Sequence, residues 1–172
     1  MNIRRMLLEL GLSAVAGYVG TKAMEPVSMK LYQLEPTEAR EREDAVRPGA
    51  PYFIAAEKLT RLYGLDLSED QLQRLSMALH YGLAIQWAAL YPPLRRRTQW
   101  SPVVSGLATG AAMSIIADEL MTPAFGFSAP NLDYPLVVHA RGFAAHLVFG
   151  LAVAAAVEGG RTLVAASTRS RP

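Results

Sequence analysis

Hydrophobic positions along this chain fall into four long blocks, separated by short polar or proline-marked breaks. The blocks predict helices over 6–25, 75–94, 102–121 and 136–158. Each approaches the roughly 20 residues that carry an α-helix across a hydrocarbon core of about 30 Å. A helix on the surface of a soluble protein shows one apolar stripe. The centre of the third block, "VVSGLATGAAMSIIA", is instead apolar or small all round. The pattern predicts an all-α fold, a four-helix transmembrane bundle with a polar extracytoplasmic loop, in one domain. A soluble bundle with an unusually apolar core is the competing solvent environment.

The ends of the blocks carry helix punctuation. Ser68 with Gln71 reads as a capping box, so the second helix starts ahead of its apolar part. Ser101 before Pro102 reads as an N-cap followed by proline at the first helical position. Pro92-Pro93, Thr122-Pro123 and Gly159-Gly160 are expected to close the second, third and fourth helices, and Pro26 to bend or end the first. Pro135 precedes the fourth. Small residues recur at helical spacing in Gly106-x-x-x-Gly110-x-x-x-Ser114 and Ala16-x-x-x-Gly20, as in helices that approach closely in lipid.

Between the first two blocks lies a loop, 26–67, expected outside, with the almost wholly polar run "EPTEAREREDAVRP". Within it Tyr52, Ala56, Leu59 and Tyr63 repeat at helical spacing. That predicts a short helix over 52–63, lying on the membrane surface or capping the bundle, with Gly64 ending it. Basic residues favour the cytoplasmic ends of spans. Arg4 and Arg5, Arg95 to Arg97, and Arg161, Arg169 and Arg171 all fall on one side of a four-span chain. Both termini are therefore expected in the cytoplasm. Glu9 interrupts the first apolar block, which argues against a cleaved signal peptide.

Composition sharpens this only slightly. Charged residues make up 19% of the chain and mean hydropathy is +0.16, a mild average that conceals the division into apolar blocks and one polar loop. A net charge of +2 and the lack of any basic stripe with aromatic interleaving set nucleic acid aside. The chain has no cysteine, so disulfides, thiolate metal sites and cysteine nucleophiles are excluded. No phosphate loop, G-x-S-x-G or H-E-x-x-H motif supports an enzyme activity.

The candidate chemistry gathers at the predicted outer ends of the helices. Asp118 and Glu119 end a run with no charge from Ser101 to Ala117. Lys22 and Glu25 share a face with Tyr18 on the first helix. His80 lies near the outer end of the second, and His139, Arg141 and His146 occupy the outer half of the fourth. An ionisable group stranded in hydrocarbon costs several kcal/mol. Asp118 and Glu119 are therefore expected to pair with Lys22, Arg141 and the three histidines, while Glu9 and Glu158 snorkel at the inner face. Such a pocket could relay protons, since histidine titrates near neutrality. It could hold a divalent metal through His80, His146 and Asp118, or haem between two histidines.

The stretch from His80 to Glu158 also resembles the YagU-like family of bacterial inner-membrane proteins, whose molecular role is not established. The likeness is carried by a histidine-bearing helix ending in a short basic loop and by the small-residue "GLATGA" helix. The Pro- and aromatic-rich segment "TPAFGFSAPNLDYP" and "RGFAAHLVFG" with His146 complete it. It covers about half the chain and implies a multi-pass membrane protein linked to survival in acid. His80 and His146 would match the family's helix-borne histidines, with Pro123 and Gly126 in the connecting segment. The run from Glu35 to Pro48 has no counterpart. Three readings follow: proton handling or acid stress at the inner membrane, a structural or assembly subunit (possible partners being another membrane protein or a second copy), and haem or metal binding.

Overall fold

The computed structural model describes residues 3–169; Arg171, counted above among the basic termini, lies outside them. All regular structure in the described residues is helical. The elements are α1 (Ile3–Leu34), α2 (Thr37–Val46), α3 (Pro51–Leu62), α4 (Glu69–Thr98) and α5 (Pro102–Met113). A π-helical segment (Ser114–Met121) and a single turn, α6 (Thr122–Ala124), extend α5. A 3-10 turn (Asn131–Asp133) leads into α7 (Leu136–Arg169).

Four long helices form a square bundle. α7 packs broadly on α1 and α5, α1 also flanks α4, and the α4–α5 side is the most sparsely packed of the four. Caps form where the side chains allow them: Ser68 and Gln71 complete a reciprocal capping box on α4, and Ser101 accepts from the Val104 amide ahead of Pro102. Other expected ends are overrun. α1 passes through Pro26 to Leu34, α4 passes through Pro92 and Pro93 to Thr98, and α7 runs past Gly159 and Gly160. A proline costs one intrahelical hydrogen bond and some bending, and here neighbouring helices hold the continuation. Pro92 is buried. Gly160 lies against Leu12 of α1, and neither Gly159 nor Gly160 takes the left-handed conformation that stops a helix.

The largest departure is in residues 26–67. In place of an outer loop, the extension of α1 together with α2 and α3 builds a folded cap. The 52–63 helix exists as α3, and it packs on α4 with Ala55, Ala56 and Thr60 buried. Gly64, at φ 63°, makes the turn after it. Lys58 donates to the carbonyls of Phe125 (2.7 Å) and Gly126 (2.9 Å), tying α3 to the end of α6.

The interior is built from small and hydroxyl-bearing residues. Ala16, Ala84, Ala88, Ala117, Ser13, Thr21, Ser105, Thr109 and Ser114 are buried, with Tyr91, Phe149, Val153 and Val157 filling the centre. Large apolar side chains face outward instead, among them Leu7, Val15, Leu90, Val103, Ile115 and Leu120. Two segments, Pro102–Ala124 and Leu136–Ser167, are long and apolar enough to cross a membrane. The first and second apolar blocks fall short of that standard.

Glycine permits the closest packing. A β-carbon on Gly110 would collide with the His146 carbonyl oxygen, and one on Gly106 would lie 2.7 Å from the Gly150 carbonyl oxygen. The Gly106–Gly110–Ser114 face is thus spent on α7 within the chain. Gly110→Leu is expected to lower stability by at least about 1–3 kcal/mol, the usual cost of overpacking. Gly82→Ala, where a β-carbon meets nothing within 4 Å, should be neutral or stabilising by about 0.5–1 kcal/mol. Thermal unfolding of both variants in mild detergent checks this pair of outcomes.

Candidate functional site

A cavity of about 360 Å³ opens beneath the cap, between α1, α3, α4, α7 and the π-helical segment. Six of the eight polar residues expected to converge line it: His80, Asp118, Glu119, His139, Arg141 and His146. Lys22 and Glu25 do not. They pair with each other at 2.8 Å, with side chains 47% and 45% exposed. Their i,i+3 spacing satisfies both locally, so neither is drawn to Asp118.

The acids reach the histidines through the geometry of two antiparallel helices. Gly110 lets α5 touch the backbone of α7, and the wide π turn that follows presents both Asp118 and Glu119 to α7. Single π-helical turns recur at functional sites. Side chains on an α-helix lean toward its N-terminus, and on α7 that is the cavity end. The His146 ring accordingly leans back to the Gly142 carbonyl (2.8 Å) and stands 3.4 Å from an Asp118 oxygen. A carbonyl only accepts, so the hydrogen bond to Gly142 requires the proton on Nδ1. The same Nδ1 faces Asp118, so its proton lies between the two acceptors.

The second pair carries a stricter constraint. His139 Nδ1 lies 2.8 Å from a Glu119 oxygen, and its Nε2 lies 3.0 Å from the Asn131 carbonyl. The Nε2 contact needs a proton on Nε2. The Nδ1–Glu119 contact needs another proton between its two atoms. That proton sits either on the imidazole or on the carboxyl. Asn131 also donates to the Glu119 carbonyl at 2.7 Å, and the Tyr134 ring stands edge-on to His139. The loop before α7 thereby fixes the ring.

His80 contributes differently. Its ring stacks on Tyr52 of the cap, with centroids 4.5 Å apart, and on Tyr81 at 5.4 Å. No acid hydrogen-bonds to it among the described contacts. Burial, with the Asp118 charge second, raises the Tyr52 phenol above its ordinary pKa, so Tyr52 stays neutral at the cavity wall. His80, His146 and Asp118 share the cavity without forming a metal cluster. Among the described residues no three of His, Asp and Glu come together closely enough to hold an ion.

Arg141 does not pair with Asp118 or Glu119. It bridges Glu35 (2.7 Å) and Glu43 (2.6 Å), with side-chain exposures of 9%, 2% and 0% in that order. Arg47 also pairs with Glu43, and the Tyr32 ring lies 5.1 Å from the Arg141 guanidinium. Two arginines thus balance two carboxylates at the junction of α1, α2 and α7. The polar run concealed these acids. Their only sequence signal is the i,i+4,i+7 spacing of Ala39, Glu43 and Val46, which turns one face of α2 inward. Glu9 and Glu158 also exceed snorkelling. Glu9 pairs with Arg161 (2.7 Å) and Arg96 (3.3 Å), and Glu158 accepts from Tyr91 (2.9 Å).

No protein-family model, curated protein or solved structure matches the chain. The likeness to the YagU-like family therefore rests on the residues quoted for it alone.

Arg141→Met should lower stability by about 3–5 kcal/mol, because it strands the buried Glu35 carboxylate and leaves Glu43 to Arg47 alone. Adding Glu35→Gln and Glu43→Gln to Arg141→Met should restore part of that loss. Denaturant unfolding followed by circular dichroism measures both steps.

Proposed function

We propose that this chain is a small multi-pass inner-membrane protein whose outer cavity takes up and releases protons. In this reading α1, α4, α5 with its π extension, and α7 all span the bilayer. The termini and the last turn of α4, with Arg95 to Arg97, which the sequence placed in a loop, lie in the cytoplasm, and the α2–α3 cap lies outside. Small and hydroxyl residues inside with large apolar side chains outside is the arrangement expected where lipid, rather than water, surrounds the bundle.

The observation that carries the proton reading is the pairing of Asp118 with His146 and of Glu119 with His139 in one cavity. Carboxylate and imidazole together hold and hand over a proton near neutral pH. Ionisable groups inside spans often mark proton relays. Below the cavity, Ser114, Thr109 and Ser105 continue down α5 as buried hydroxyls. Asp118 and Ser105 are about 20 Å apart along the helix. The Ser105 hydroxyl has no hydrogen-bond partner, which leaves it free to bond a water. The resemblance to a family linked to acid survival points the same way.

The other readings draw less from the geometry. An assembly subunit was suggested by the Gly106–Gly110 face, and α7 already covers that face. A metal centre lacks a cluster of ligands. A haem protein remains distinguishable by its optical spectrum.

In vesicles carrying an internal pH dye and an imposed pH gradient, the reconstituted chain should raise proton flux several-fold over empty vesicles. Asp118→Asn and His146→Gln should each return the flux to background, and Lys22→Gln should leave it unchanged. Flux equal to that of empty vesicles, or unaltered by both cavity substitutions, removes the proposal.

A further inference from the structure

A second cavity, of about 400 Å³, opens on the sparsely packed α4–α5 side, at the end of the bundle away from Asp118 and Glu119. Trp87, Leu90, Pro93 and Leu94 of α4 form one wall, and Ala108 and Ala112 of α5 form the other. The lining is almost entirely apolar. From Trp87 to Thr98 the groove runs about 16 Å along α4, and it ends at Arg97 and Thr98 beside the hairpin into α5.

The charges at that mouth are unevenly matched. Arg96 meets Glu9 at 3.3 Å. Arg97, which lines the mouth, has no ion pair among the described residues. An apolar slot ending at the unpaired Arg97 guanidinium is complementary to a molecule with a long hydrocarbon tail and an anionic head. Basic pockets between spans on the cytoplasmic side are suited to anionic lipid headgroups.

We infer that the α4–α5 groove binds one anionic phospholipid, its acyl chain between Trp87 and Ala112 and its phosphate against Arg97. This rests on the membrane reading above and is independent of proton transfer. Pro93 lines the groove, and the small residues Ala108 and Ala112 opposite leave room for a chain.

The test uses the full chain with Trp100→Phe, which leaves Trp87 as the single tryptophan, since the chain has two. In detergent micelles, phosphatidylglycerol brominated on one acyl chain should quench Trp87 saturably at near-stoichiometric amounts. Brominated phosphatidylcholine should require several-fold more. Arg97→Gln, at an exposed site that leaves the fold intact, should weaken the phosphatidylglycerol titration roughly fivefold, the equivalent of about 1 kcal/mol per arginine at a membrane surface. Ala112→Phe should abolish saturable quenching by filling the slot. Equal quenching by both lipids, or no change with Arg97→Gln, overturns the inference. So does a groove shielded by a second copy, seen as a dimer in native mass spectrometry with Trp87 unquenched. Carbonate extraction of cell membranes separates the two claims. A chain released by carbonate overturns the membrane reading, while a chain that stays and shows no lipid preference overturns the lipid site alone.

Discussion

The backbone contact between α5 and α7 is the constraint on which the rest depends. Gly106 and Gly110 let the two helices meet at the carbonyls of Gly150 and His146, closer than any side chain would allow. That approach brings Asp118 and Glu119 within hydrogen-bonding reach of His146 and His139. Were the helices separated by the ordinary 8–10 Å, both acids would lie in an apolar setting with no imidazole to meet them, and burying a charge without a partner is costly. The chemistry of the cavity is thus a consequence of two glycines several turns away from it.

The cap closes the other side of the same design. Arg141 projects from α7 into the junction of α1 and α2, and only the pairing with Glu35 and Glu43 makes its burial tolerable. A buried ion pair of this kind is weak evidence for net stability, yet breaking it is strongly destabilising. Its structural effect is to fix where α2 starts and how α1 ends. With Tyr52 stacked on His80, the cap is clamped to α4 and α7 at separate points. The polar segment that closes the cavity is therefore tied to both of its walls.

The bundle was legible where a single local interaction decides the outcome. Ser68 with Gln71, Ser101 with Pro102, and the small-residue face of α5 state their roles within a few residues, and all act as expected. Helix ends at Pro26, Pro92-Pro93 and Gly159-Gly160 were misread because tertiary packing outweighs the few kcal/mol of a proline or glycine in a long packed helix. The gathering of His80, His139, His146, Asp118 and Glu119 followed from helix count and direction. Their pairing did not, since the same count allowed Arg141 and Lys22 as partners. Glu35 and Glu43 were hidden inside a run of exposed acids and bases, where composition gives no clue to the one face that turns inward.

The two ends of the bundle use one set of residue types for opposite purposes, and connectivity explains why. At the Arg161 end, Glu9 is held by arginines from two other helices, and Glu158 is engaged by Tyr91 and Arg161. Guanidinium groups stay protonated throughout the physiological range, so those contacts form a fixed lock with no proton to exchange. At the cavity end the acids meet imidazoles instead, and the nearby arginine is diverted to Glu35 and Glu43. Moving Arg141 onto Asp118 would turn the cavity into a second lock. The cap's carboxylates, by occupying Arg141, leave Asp118 and Glu119 to the histidines, and the proton exchange proposed above rests on that diversion.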